Sequence, residues 1–294
     1  MRLQRLCFLI LPLLTLPAFA DSFTLGSAVS FGLLGGTVSN TGTSIVTGDV
    51  GATTTVTGFY PTGTATGTVY PAPSDPTVTA AYNDIFGSVG AFSTAKGMTS
   101  TGTFTGTTSQ TFTANPSGIT VIASNGTIST ATGINLTFDA GSNPSPIFII
   151  QIPGALTVNG IMTFTLGSGV QADNIFWIIE GSPTGAPGDA TISGSGYNIF
   201  DGNIIAGDTF TMSAVPGGSG TLAGTINGCV FAENANTLAG TTDVGGCADT
   251  SAGSSGSTGG GGTGGTVVPE PGSMALLGSG LIALAGFVRR WRHS

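Results

Sequence analysis

The chain has 294 residues, 50 of them glycine, with 7% charged side chains and a formal net charge of −8. Between residues 21 and 266 lie 13 acidic residues against a single lysine, Lys96, with no arginine or histidine, a net charge of −12. That balance excludes nucleic-acid binders, which need cations facing phosphates, and disfavours docking on an anionic lipid surface.

The first element is a targeting segment. Arg2 and Arg5 flank the start of an apolar run, Leu6 to Leu16, followed by the small-x-small pattern Ala18-Phe19-Ala20. This is the pattern of a secretory signal peptide over residues 1–20, with the mature chain expected to begin at Asp21. The apolar run is too short to span a bilayer comfortably.

Residues 21–248 read as one domain. In ISTATGINLTFDA, GALTVNGIMTFTLG, ATISGSGYNIF and DTFTMSA, apolar residues alternate with Thr, Ser or Asn, the period-two pattern of half-buried strands. Leu156 and Val158 are expected inward with Thr157 and Asn159 outward. Met162, Phe164 and Leu166 are expected inward with Thr163 and Thr165 outward. Two runs, PIFIIQI (146–152) and NIFWII (174–179), are apolar on both faces and need cover on both sides.

One segment breaks the alternation. Val78, Ala81, Tyr82, Ile85, Phe86, Val89 and Phe92 form a stripe at helical spacing. Asp75 can cap this helix, Pro76 can open it and Gly97 can end it, so an amphipathic helix is predicted over about 76–96. The fold class expected is all-β with one long helix. An irregular β-solenoid with the helix packed alongside is favoured over a β-sandwich.

After these strands come two cysteines, Cys229 and Cys247, expected to pair in an oxidising compartment and close the end of the domain. The Gly/Ser/Thr-rich stretch 249–268 reads as a tether, about 25 Å long as a random coil. Pro269, Glu270 and Pro271 then precede an apolar stretch, Met274 to Val288, and a basic cluster of Arg289, Arg290 and Arg292. Such basic residues are expected to stay cytoplasmic. Residues 269–294 resemble the PEP-CTERM sorting signal of Gram-negative bacteria. The resemblance implies a short transmembrane helix, processing by an exosortase, and transient or retained inner-membrane anchoring. The body is then exported, at the cell surface or extracellular.

Catalytic readings have little to stand on. His293, in the tail, is the one histidine, so no Ser-His-Asp or Cys-His site can form in the body. Lys96 is followed by Gly97 and Met98, which is no phosphate-binding loop. Asp201 with Asp208, and Asp173 with Glu180, are carboxylate pairs on paper. Asp201, Asn203 and Asp208 could hold calcium but match no recognised loop. These acids are expected in turns and on exposed strand positions, so no enzyme, metal or cofactor is predicted.

Threonine is the remaining signal. Residues 36–59 contain eight threonines and one charged side chain, Asp49. Outward Thr on stacked strands makes a regular array, spaced about 4.8 Å between strands and about 6.7 Å along them. Thr has a stiff χ1, so little entropy is lost when it meets a rigid surface, and its hydroxyl can anchor water. Threonine is also simply a good strand former.

The body resembles the microbial ice-binding proteins with a discontinuous β-solenoid. FTLGSAVSFGLLGG, VSNTGTSIVTGDVG, TAAYNDIFG, QTFTANPSGITVIAS, PIFIIQIPGALTVNG, ADNIFWIIEG and IFDGNIIAGDTFTM carry the resemblance by their order and spacing across residues 23–247. It implies a right-handed β-helix of roughly triangular section and one flat Thr/Ser/Asn-rich face that binds an ice crystal. The candidates on outward alternation are Thr37, Ser39, Thr41, Thr157, Asn159, Thr163, Thr165, Thr191, Ser193, Asn203, Thr209 and Thr211, which cannot all share one face. PTGAPGDA (183–190) and VPGGSG (215–220) depart from the family as insertions expected to roughen one side. The function implied is ice adsorption that inhibits growth or recrystallisation. The alternative is a structural or adhesive matrix protein of the same fold, partnered with exopolysaccharide.

Overall fold

The computed structural model describes residues 23–247, apart from 61–62, 72, 74, 131–132, 183–184, 186, 194–197 and 214–221. The chain divides into two units, Met1–Gly260 and Gly261–Ser294, and every described residue belongs to the first. The predicted signal peptide, the Gly/Ser/Thr-rich linker, the Pro269-Glu270-Pro271 triplet and the short transmembrane helix lie outside the described residues. Within them, no helix is long and apolar enough to cross a membrane.

The strands coil in chain order. β1 (Phe31–Asn40), β2 (Ile45–Val46), β3 (Asp49–Thr57), β4 (Thr64–Ala65) and β5 (Val69–Tyr70) make the opening coils. Helices α1 (Pro76–Phe86) and α2 (Ala91–Lys96) follow. The chain resumes with β6 (Gly102–Phe104), β7 (Gln110–Thr113), β8 (Ile119–Ser124), β9 (Ile128–Thr130), β10 (Ile134–Asp139), β11 (Ile147–Ile152), β12 (Leu156–Val158) and β13 (Met162–Leu166). It ends with β14 (Ile175–Ile179), β15 (Ala190–Ile192), β16 (Asn198–Asp201), β17 (Asn203–Ala206), β18 (Thr209–Met212), β19 (Leu222–Asn227), β20 (Val230–Leu238) and β21 (Thr241–Val244).

Each complete coil contributes one strand, or half of a long bent strand, to each of three faces, while β5 and the β6–β7 coil at the two ends are incomplete. The first face runs β5-β3-β1-β20-β17-β14-β11-β8-β6. The second uses the C-terminal halves of β3, β1 and β20, then β18, β15, β12 and β9. The third comprises β4-β2-β21-β19-β16 and β13-β10-β7. The ladders are parallel throughout the described residues, as a solenoid requires and a sandwich does not.

The stacking order is not the chain order. β20 pairs with β1, so the last coil docks on the first, between the opening coils and the rest. The chain leaves the opening coils through the helices and re-enters at the far end of the stack.

The first face is buried on both sides, as its two apolar runs require. Phe148, Ile150 and Ile152 point into the solenoid core, while Ile149, Phe176, Ile178, Ile205 and Phe231 point out beneath the helices. From α1, Val78, Ala81 and Ile85 complete that outer layer. Burying each of Val78 and Ile85 contributes roughly 1.5–3 kcal/mol. The Asp75 carboxylate accepts from Thr77 N at 2.8 Å, Pro76 opens α1 and Gly97 ends α2, the predicted limits. Between them Gly87 and Gly90 turn the chain, giving two helical segments. Gln151, buried in β11, donates its Nε2 to Ala95 O and Met98 O, carbonyls at the end of α2.

Inside, Trp177 packs against Phe104, Phe164 and Phe200 across the coils. Its indole donates to Asp201 O at 3.0 Å. Gly202 holds φ +118°, and a Cβ there would come 2.7 Å from that indole nitrogen, so glycine is required.

Candidate functional site

The second face is the most regular surface of the solenoid. Parallel register places Thr57, Ser39, Thr237, Thr211, Thr191, Thr157 and Ser129 in one file, one hydroxyl side chain per coil. Six steps of about 4.8 Å make this file roughly 29 Å long. Alternation explains it. The flanking residues Val38, Met212, Ile192 and Val158 are buried in the core, which turns the intervening side chains outward.

Two flanking files widen the array. Thr55, Thr37, Ala235 and Thr209 align on one side by strand register, and backbone hydrogen bonds extend the file to Asp189, Ala155 and Thr127. Thr41, Ala239, Ser213, Ser193 and Asn159 align on the other side through Thr41 N to Leu238 O, Ala239 N to Met212 O, Ser213 N to Ile192 O and Ser193 N to Val158 O. The three files are about 13 Å across. Asp189 is the one charged group in them, and its Oδ1 is engaged by Thr209 Oγ1 at 2.6 Å.

Within the central file, the hydroxyls of Ser39, Thr237, Thr211, Thr191 and Thr157 have no protein hydrogen-bond partner among the described residues. Five stacked hydroxyls are therefore left to water. Their neighbours are pinned, with Ser193 Oγ donating to Asn159 Oδ1 at 2.9 Å.

Of the twelve candidates from the sequence, nine lie on this face: Thr37, Ser39, Thr41, Thr157, Asn159, Thr191, Ser193, Thr209 and Thr211. Thr163 and Thr165 lie on the third face in β13, and both hydroxyls donate to Asn135 Oδ1, at 3.2 and 3.3 Å. Asn203 is not on the surface at all. It is buried in β17, donating to Asp173 O and Ile175 O and accepting from Cys229 N. Its place directly after Gly202, at the corner between faces, inverts the alternation assumed for it. Sequence reasoning missed Thr57, Thr55, Thr237, Ser129, Thr127 and Ser213. Thr237 was within reach, because VFAENANTL alternates around it.

The third face is a poorer array. It is split between two sheets, and Ile45 and Ile199 stand out from it, 47% and 45% exposed. The insertion 183–190 follows β14 and runs into β15 at Ala190. Residues 183–184, 186 and 215–220 lie outside the described residues.

The paper carboxylate pairs do not meet. Asp173 and Glu180 bracket β14, and Asp201 and Asp208 bracket β17, so each pair is separated by about 20 Å of extended chain. Asp201 Oδ1 accepts from Asn227 and Asp208 Oδ1 from Asn234, on opposite corners, so with Asn203 they form no calcium cradle. Among the described residues no group of three or more His, Cys, Asp or Glu could hold a metal. Burial pushes the Asp201 carboxyl above the usual range, against the pull of Asn227, and burial likewise raises Glu180, against Lys96.

Comparison with known proteins adds to this geometry. The ice-binding-like family matches residues 33–243, and the PEP-CTERM protein-sorting motif matches residues 267–290. An ice-binding protein of Nostoc sp. (strain HG1) is 30% identical over 281 residues, 91% of this chain and 87% of that one. The crystal structure of an ice-binding protein from the Antarctic ascomycete Antarctomyces psychrotrophicus is 30% identical, with TM-score 0.57, over 76% of this chain and 98% of that one. One from an Antarctic biological consortium is 27% identical, with TM-score 0.58, over 79% and 94%.

Proposed function

The chain belongs to the ice-binding-like family, and we propose that it is an exported protein that adsorbs to ice through the second face, inhibiting ice growth or recrystallisation. The observation that carries this reading is the file of Thr57, Ser39, Thr237, Thr211, Thr191, Thr157 and Ser129. Ice is a rigid two-dimensional array of oxygens, so a binder needs many weak contacts at fixed spacing. Parallel coils fix one spacing and strand alternation fixes the other. The stiff threonine side chain loses little entropy on contact, and its methyl and hydroxyl together hold ordered water. No long flexible cation stands on the face to disturb this.

The residues assigned to the site are the nine sequence candidates on the second face, joined by Thr57, Thr237 and Ser129. The match to the sorting motif supports export, cell-surface sorting and processing by an exosortase. No catalytic step, metal or cofactor is assigned. The matrix-protein alternative and its exopolysaccharide partner have no observation in their favour.

The test is thermal hysteresis and recrystallisation inhibition by the mature chain released from an exporting host. Faceted ice crystals and a freezing gap are expected. A folded, β-rich chain that neither shapes ice nor slows recrystallisation at high concentration would contradict the reading.

A further inference from the structure

One charge interrupts the hydroxyl array. Asp189 stands in the flanking file between Thr209 of one neighbouring coil and Ala155 of the other, each step about 4.8 Å. It lies two residues before Thr191, so about 6.7 Å separates it from the middle of the central file. Its backbone is part of the ladder. Gly188 O accepts from Asp208 N, Asp189 O accepts from Leu156 N, and Ala190 is buried in the core. The carboxylate is therefore held at the face.

The side chain is engaged at one oxygen. Asp189 Oδ1 accepts from Thr209 N at 3.2 Å and from Thr209 Oγ1 at 2.6 Å. Among the described residues Oδ2 has no protein partner, it is not sealed from solvent, and the carboxylate has no ion pair. Cations are scarce in this chain. Residues 21–266 contain one, Lys96, which lies over the Phe92 ring at 6.0 Å and whose charge pulls on Glu180. The Asp189 charge is thus left to water.

Ice cannot meet that charge as it meets a hydroxyl. The hydroxyl of Ser or Thr both donates and accepts, as each water of ice does, so it can take a place in a hydrogen-bonded lattice. A carboxylate only accepts. Ice holds no mobile counter-ion, so bringing Asp189 against it strips hydration that nothing on the face replaces, or keeps unfrozen water around the charge. Either way the flanking file is broken at this coil, beside the middle of the array.

We propose that Asp189 sets the strength of adsorption, its charge acting as a brake built into the second face. This rests on the ice-binding reading above. The residue belongs to the segment 183–190, so what that segment brings to the face is a charge. Oδ1 also fixes the Thr209 hydroxyl, but an uncharged amide oxygen would fix it equally.

The experiment measures thermal hysteresis of the mature native chain, Asp189→Asn, Asp189→Ala and Thr191→Tyr at equal molar concentration, with circular dichroism to verify each fold. Asp189→Asn removes the charge and keeps the acceptor for Thr209, while Asp189→Ala removes both. Expected is activity raised several-fold in Asp189→Asn. If that variant does not fold, the gain is read in Asp189→Ala. An active native chain with Asp189→Asn equal to it or below it would overturn the brake. If Asp189→Ala alone then falls, Asp189 is only a positioning residue for Thr209. A folded native chain no more active than Thr191→Tyr would remove the ice-binding reading, and the brake with it.

Discussion

Thr157 and Thr191 occupy the same position on consecutive coils, paired in parallel register between Leu156–Ala190 and Val158–Ile192. Among the described residues neither hydroxyl has a protein partner, and each continues a file that runs the height of the second face. The pair shows in miniature how the fold makes a surface. Buried neighbours fix the direction of a side chain, and coil stacking fixes its distance from the next.

The disulfide stabilises the last coil. Closing a loop over a sequence separation of 18 residues is worth about 3 kcal/mol. Cys247→Ser is therefore expected to lower the melting temperature by roughly 6–12 °C for a domain of this size. Scanning calorimetry under non-reducing conditions measures it, and a shift under about 2 °C would show that the coil is held without the bridge.

Asn203 separates a structural role from a surface one. Replacing it by Leu removes the donations to Asp173 O and Ile175 O and leaves Cys229 N without its acceptor. The expected cost is about 2–4 kcal/mol of stability. Ice activity measured near 0 °C, where the domain is still folded, should be unchanged. Lost activity in a folded Asn203→Leu chain would place this residue back in the site.

Acid should not weaken the fold through Asp201 and Glu180. Burial raises Asp201 and Glu180 above the ordinary carboxylate range. In the window between that range and the raised values, the folded chain binds more protons than the unfolded one. Their contribution to stability is thus present at low pH and is lost as pH rises through the folded pKa. Asp201→Asn, which keeps an oxygen acceptor for Asn227, should narrow the difference in melting temperature between the ordinary carboxylate range, about pH 4, and neutral pH. An unchanged difference would remove Asp201 as a cause.

Much of this was legible in residues. PIFIIQI and NIFWII announced a face covered on both sides, and the stripe from Val78 to Phe92 announced what covers it. Local alternation placed Thr157, Thr191 and Thr211 outward. What could not be read was which strands are neighbours, because the last coil docks on the first and the pairing of Ser39 with Thr237 spans almost the whole domain. Thr163 and Asn203 failed for another reason. Alternation tells inward from outward along one strand, but a corner resets it, and only the count of residues between corners says which face comes next. The turn at Gly87–Gly90 was hidden because the apolar stripe continues across it to Val89 and Phe92.

The central claim is that the second face, and not threonine content in general, binds ice. The direct measurement is thermal hysteresis of Thr191→Tyr beside Thr137→Tyr, with circular dichroism to verify both folds. Thr191 is mid-file on the second face, while Thr137 pairs with Thr111 and Thr165 on the third. The account predicts that Thr191→Tyr loses most of its activity while Thr137→Tyr keeps it. Equal activity in the two variants, or loss in Thr137→Tyr alone, would contradict it.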